Sequence, residues 1–173
     1  MKYFDVHTHA NIDPLLSVAD NIAKRCSDLN ISFVDVGVDI PTSKISIQHA
    51  KAHNNIYACV GVHPSDVALL NIQSAVDELK ILLDDAKSNK IVAIGETGLD
   101  YHTFGYDKDK QQAFFMEHIK LAQQYHLPLM VHVRDAHEDT IKILKQHAHG
   151  LKVIIHCYSG NLSQTNEYIN LGV

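Results

Sequence analysis

Short runs of apolar and β-branched residues alternate along the chain with longer segments in which apolar side chains recur at helical spacing. A compact apolar run bounded by turn residues reads as a strand, and a 3.6-residue period reads as a helix. The runs predict strands at 3–9, 31–37, 56–62, 91–95, 129–133 and 153–156. Helical segments follow at 14–29, 42–53, 72–87, 108–125, 138–147 and 162–171. On these, Ile22, Cys26 and Leu29 share one face, as do Val76, Leu79, Leu83 and Ala86, and Phe115, Ile119 and Ala122. Pro128 ends the fourth helix, because the residue before a proline is biased away from helical dihedrals, and Gly150 suits the cap of the fifth. Six consecutive βα units with nearly continuous apolar strands imply an α/β fold, a parallel sheet covered by helices.

Composition narrows the class. A chain of 173 residues is one domain's worth, able to bury roughly 70% of its unfolded surface. With 46% hydrophobic residues, 8 Gly and 4 Pro, it is neither disordered nor collagen-like. No apolar run approaches the ~18 residues of a membrane span, and the N-terminus lacks the apolar stretch of a signal peptide. A cytoplasmic protein with no membrane partner is the default expectation. Fifteen basic against 20 acidic residues, with no basic cluster, argue against a dedicated DNA-binding module. They leave open an enzyme whose bound metals handle phosphate. Cys26, Cys59 and Cys157, odd in number and without CxxC spacing, read as reduced, mostly buried thiols.

The histidines change the picture. His7 and His9 end the first predicted strand, Glu96 follows the fourth, and His132 and His156 end the fifth and sixth. Side chains alternate along a strand, so His7 and His9 point to one side. In parallel α/β folds the C-terminal strand ends form the functional face, where these five residues would converge. Imidazole with carboxylate suits Zn²⁺, Mn²⁺ or Fe²⁺, and with waters Mg²⁺. Five ligands exceed what one catalytic ion takes, and a Glu shared by two ions ~3.5–4 Å apart would use them all. Taken singly, each residue also has a bland reading: an incidental His-x-His, a surface or capping Glu96, hydrogen-bonded core histidines at 132 and 156. Arg134 either offers a phosphate a planar fork of donors or pairs with Asp135 or Asp139; His63, before Pro64, either caps a turn or joins the site. His49 and His53, four apart on a helix, lack the glutamate of a His-Glu-x-x-His motif and read as solvent-facing. Gly95 and Gly98 lack the GxGxxG pattern and read as a tight turn, and Ser159 has no nucleophile-elbow context.

Five stretches occur in order: Asp5-Val6-His7-Thr8-His9, Gly61-Val62-His63-Pro64, Gly95-Glu96-Thr97-Gly98-Leu99-Asp100-Tyr101, Val131-His132-Val133-Arg134 and His156-Cys157-Tyr158-Ser159-Gly160. Together they resemble the TatD family of metal-dependent deoxyribonucleases, within the amidohydrolase-like TIM barrels, over essentially the whole chain. The resemblance implies a TIM-type (β/α)8 barrel, with residues 1–173 a single incomplete barrel domain holding about six of the eight βα units. It implies that His7 and His9 bind one metal, His132 and His156 the other, and that Glu96 bridges two divalent ions (Mg, Zn or Mn). His63 and Arg134 are then the groups that hold a substrate phosphate. The implied reaction is 3′→5′ phosphodiester hydrolysis on DNA, single strands preferred, by a metal-activated water. The alternatives are an amidohydrolase-like opening of a cyclic amide or ester, and an inactive metal-binding fragment.

Two departures stand out. Asn11 stands where many relatives carry an acidic residue. The family's eighth strand supplies an aspartate that completes the first metal site and serves as general base, and no residue here takes that role; Asp13, Asp39 and Asp100 are not assigned it. The chain on its own is therefore expected to be weakly active or inactive and marginally folded.

Overall fold

The computed structural model describes residues 2–173. Six strands, β1 (Tyr3–Thr8), β2 (Ile31–Val36), β3 (Ile56–Val60), β4 (Ile91–Asp100), β5 (Leu129–Arg134) and β6 (Val153–Ile155), alternate with helices α1 (Ala19–Asp28), α2 (Ile40–Ala52), α3 (Ile72–Leu83), α4 (Lys108–Tyr125), α5 (His137–His147) and α6 (Leu162–Asn170). The strands form one sheet in sequence order, each pair parallel. The sheet is curled into a half-barrel, so that His7 of β1 stacks on His156 after β6 with ring centroids 3.7 Å apart. β1 and β6 are its outer strands, and Tyr3, Phe4 and Val6 on β1 are exposed.

Alternation along the strands sorts side chains between two cores. Phe33, Ile56, Ala58, Val60, Leu129 and Val131 join the helices in the main core. Val34, Val36, Cys59 and Met130 form a smaller cluster on the opposite, concave face. The helices start where capping residues stand. Asp39 accepts the Thr42 N–H at 2.7 Å to open α2, Asp107 accepts that of Lys110 to open α4, and Asn161 accepts that of Gln164 to open α6. α2 begins two residues before the position its periodicity suggests, because Pro41 fits a first helical turn. α4 is closed by His126, which follows Tyr125 in a left-handed conformation two residues before Pro128.

Four expectations are corrected. The first helix does not begin at Pro14: residues 16–18 wind as a 3-10 turn and α1 starts at Ala19; Ile22 and Cys26 pack on the core beside the buried Ala19 and Ala23, while Leu29, past the helix end, is exposed. β4 does not stop at Gly95 but continues to Asp100. Gly95 and Gly98 lie inside it at positive φ, where a Cβ would collide with the carbonyls of Met130 and His132 on β5. They are therefore a close strand approach rather than a turn. His49 and His53 are half-buried rather than solvent-facing. His49 pairs at 2.8 Å with Asp35 of β2, a fully buried carboxylate that needs a partner once out of water, and His53 meets the exposed Asp20 of α1 at 2.8 Å. Of the three free thiols only Cys59 is fully buried, and Cys157 is exposed.

One buried histidine of α4 makes a stability prediction. The His118 Nδ1–H donates to Phe114 O at 2.8 Å and its Nε2 accepts the Val62 N–H at 3.0 Å, so a second proton has no place. Burial pushes its pKa from 6.5 to about 4. Below 6.5 the unfolded chain takes up a proton that the folded ring refuses. The stabilisation from keeping the ring neutral is thus complete above 6.5 and is lost toward 4, at about 1.4 kcal/mol per pH unit. Nitrogen-detected NMR will find His118 as the neutral Nδ1–H tautomer at about pH 5; a doubly protonated ring there would contradict this packing.

Candidate metal centre

The strands deliver their functional side chains at their C-terminal ends. His132 on β5 shares the concave face with Met130, two residues before it, and His156 continues the face of Ile154 beyond β6. The β1–β2 ladder shifts register between Asp5 and Thr8, around His7, and the β4–β5 ladder between Ile94 and Thr97, around Glu96. Such irregularities re-aim a side chain out of the regular pleat.

His7, His9, His63, His132 and His156 meet around the carboxylate of Glu96, which is 2% exposed. Oε2 lies 3.4 Å from His7 Nε2 and 3.3 Å from His9 Nε2. Oε1 lies 2.6 Å from His156 Nε2, 3.1 Å from His132 Nδ1 and 3.5 Å from His63 Nε2. Burial alone would raise the Glu96 pKa, but hydrogen bonds from His132, His156, His7 and His9 hold it far below the usual carboxylate range. Burial lowers His7 against the pull of Glu96, and pushes His63 down to about 4. Glu96 raises His9. At His132 burial is outweighed by Glu96 and Asp100, and the pKa rises.

The donor set fits divalent cations. His7–Glu96–His156 and His63–Glu96–His132 each bring three ligand atoms within 4.8 Å of one another. His9 Nδ1–H donates to Val36 O at 2.9 Å, which leaves its Nε2 lone pair facing His7 Nε2 at 3.0 Å. Two imidazole nitrogens that face one another this closely would be able to hold a divalent ion together with Glu96. His7 Nδ1 is buried without a partner among the described residues. A carboxylate only accepts hydrogen bonds and cannot use an imidazole lone pair, whereas a cation between these nitrogens would.

Around this cluster the remaining sequence candidates divide. His63 has both of its readings at once: Nδ1 accepts the Ser65 N–H at 3.1 Å, capping the turn at Pro64–Leu69, while Nε2 faces Glu96. Arg134 is exposed at the end of β5. Among the described residues Asp135 is held by His102 and Asp139 by Lys108, each at 2.7 Å, and neither pairs with Arg134. Asn11 is buried and structural: its amide nitrogen reaches Val36 O at 2.9 Å and Ser46 Oγ at 2.8 Å, tying the chain after His9 to β2 and α2.

One residue was missed. Asp100, 3% exposed, places Oδ2 3.0 Å from His132 Nε2, on the side of the ring away from Glu96. Its carboxyl is held down because burial is outweighed by hydrogen bonds from His132 and from the His102 and Thr103 N–H groups. The signal was present as strand parity, since Glu96 and Asp100 stand four apart on one strand, but ending that strand at Gly95 hid it. Asp13 and Asp39 make no approach of this kind among the described residues; Asp39 caps α2.

A parallel α/β half-barrel with a His/carboxylate centre at its strand ends is the architecture of a metal-dependent hydrolase barrel. The chain belongs to the TatD related DNase family, whose model matches residues 4–173. It is 36% identical over 99% of its length to an uncharacterized metal-dependent hydrolase of Mycoplasma pneumoniae, covering 66% of that protein. It is 30% identical to the 3′-5′ ssDNA/RNA exonuclease TatD of Klebsiella pneumoniae over 79% of this chain and 51% of that one. The crystal structure of YjjV, a TatD homologue from Escherichia coli K12, superimposes with a TM-score of 0.90 at 25% identity, covering 98% of this chain and 65% of that chain. The chain thus spans about two thirds of the length of the relatives it matches. No helix among the described residues is long and apolar enough to cross a membrane.

If Asp100 fixes the ring of a metal ligand, Asp100→Asn will weaken divalent-metal binding about 10- to 100-fold, read by competition with a chromogenic chelator. Unchanged affinity would remove Asp100 from the centre.

Proposed function

We propose that this chain carries the metal centre of a phosphodiester hydrolase that degrades single-stranded nucleic acid, DNA in particular, from the 3′ end. The observation that carries the reading is the division of Glu96 between two sets of imidazoles: Oε2 faces His7 and His9, and Oε1 faces His132 and His156. A carboxylate so divided suits two ions, with Mg²⁺, Zn²⁺ or Mn²⁺ all compatible with the donors. The substrate and polarity follow the relative from Klebsiella pneumoniae, named a 3′-5′ ssDNA/RNA exonuclease.

When bound, the ions would supply Lewis acidity, activating a water and neutralising charge that builds on the phosphate. The chain's own residues do the rest. Glu96, held ionised, keeps negative charge where cations must sit. Val36 O orients His9 and Asp100 orients His132, so each presents a defined nitrogen. His63, kept neutral by burial, stands beside Glu96 as a further ligand or as a hydrogen-bond partner for a phosphate oxygen. Arg134, exposed and two residues past His132, offers a bidentate fork to the phosphate. A locally placed guanidinium beside the cations accounts for phosphate binding in a chain of net charge −5. Three free thiols support a reducing, cytoplasmic setting.

A 5′-labelled single strand incubated with the protein and Mg²⁺ or Mn²⁺ will shorten progressively from its 3′ end. EDTA will stop the reaction, and Glu96→Gln will slow it by more than about a hundredfold. Shortening that persists in EDTA would contradict the reading.

A further inference from the structure

Immediately after Asp100 the chain carries three aromatic residues within six positions, Tyr101, Phe104 and Tyr106. Phe104 is entirely solvent-exposed and Tyr106 is 42% exposed. A single exposed aromatic is ordinary, but a cluster beside a functional centre is not. The cluster is also built rather than loose. The Tyr101 and Tyr106 rings are stacked, centroids 4.8 Å apart and 13° from parallel. Tyr101 is fixed from behind: its hydroxyl donates to Asp139 at 2.9 Å and accepts from Gln112 at 3.0 Å. Lys108, which grips Asp139 at 2.7 Å, places its ammonium 5.3 Å from the Tyr101 ring centre.

The same loop is tied to the metal centre through one carboxylate. Asp100 Oδ1 accepts the His102 N–H at 3.0 Å and the Thr103 N–H at 3.2 Å, while Oδ2 faces His132. The aromatic loop therefore has a fixed position relative to His132. Beside it opens a cleft of about 550 Å³ lined by Tyr101, Lys108 and His137 together with the carboxylates of Asp135, Glu138 and Asp139. Tyr158, two residues past His156 and 40% exposed, packs edge-on against His137 at 5.3 Å. Tyr101 thus lines a polar cleft beyond the strand ends, with Tyr106 stacked on it.

From this arrangement we infer that Phe104 and Tyr106 form a stacking platform for unpaired nucleobases, which holds the strand adjoining the phosphate at the metal centre. This inference rests on the nuclease reading above and names what that reading leaves open, the protein's grip on bases rather than phosphates. Every base has a π-face, so a platform of this kind binds strands without regard to sequence. It also binds without a basic surface, in keeping with the net charge of −5. Paired bases hide their faces in the duplex stack, so the platform favours single strands. The stacking of Tyr106 on Tyr101 preorganises that part of the platform and lowers the entropy lost on binding there.

Fluorescence anisotropy tests it, in EDTA so that binding is read without turnover. The probes are a labelled oligothymidylate and an abasic oligonucleotide of the same length and phosphate count. The protein will bind the base-bearing strand about tenfold more tightly, the gain from one stacked base. In the double variant Phe104→Ala/Tyr106→Ala that preference will fall to about one, while binding of the abasic strand holds. A double variant that keeps the full preference overturns the platform and leaves the nuclease reading standing. A native protein that binds both strands equally also overturns the platform. A native protein that binds neither strand, and shortens none with metal added, overturns the nuclease reading and the platform with it. Thermal melting of the double variant guards against misfolding; should it melt early, Phe104→Ser alone carries the test, since that side chain buries nothing.

Discussion

Glu96 is a carboxylate buried to 2% exposure with no lysine or arginine against it among the described residues, and the architecture of the active face answers that cost. A buried charge survives only if hydrogen bonds or counter-ions replace its water. Here the replacements are five histidines from four places in the chain: the end of β1, the turn after β3, β5 and the chain just past β6, with both oxygens engaged. No helix or hairpin could gather such a set. Curling a parallel sheet does so, because it turns the C-terminal ends of separate strands toward one point. The positive-φ glycines of β4 serve the same end, since they let the strand run flush against β5 on either side of Glu96.

The surroundings of the centre form a graded set of supports. Val36 O and Asp100 orient rings directly. Asn11 ties the segment after His9 to Val36 and Ser46, and Asp35 accepts the Asn11 N–H while pairing with His49. Partners at this distance decide whether ligands keep their geometry, and so they bear on function although they never meet substrate. Asp100 has the widest reach. One oxygen faces His132 and the other holds the aromatic loop, so a single side chain sets the position of the loop against the centre.

Much of this was legible in the residues. α4 begins at Lys108 and ends at Tyr125, where its period and Pro128 put it. All six strands were legible because their apolar runs are short and bounded by turn residues. The gathering of His7, His9, Glu96, His132 and His156 followed from their places at strand ends. Other features depended on tertiary contacts. β4 continues past Gly95 only because its glycines can approach β5, a fact about a neighbouring strand, and so Asp100 escaped notice. His49 looks solvent-facing until Asp35 is seen buried beneath it. Leu29 lies in phase with Ile22 and Cys26, which pack on the core beside Ala19 and Ala23, yet α1 ends at Asp28 and Leu29 beyond it is exposed.

The central claim is that Glu96 joins two cation sites, one per oxygen. Anomalous diffraction from crystals of this chain soaked in Mn²⁺ addresses it most directly. The account predicts two peaks about 3.5–4 Å apart, one between His7 and His9 and one beside His132 and His156, with Glu96 contacting both. A single peak, or two peaks that leave Glu96 uncoordinated, would contradict it.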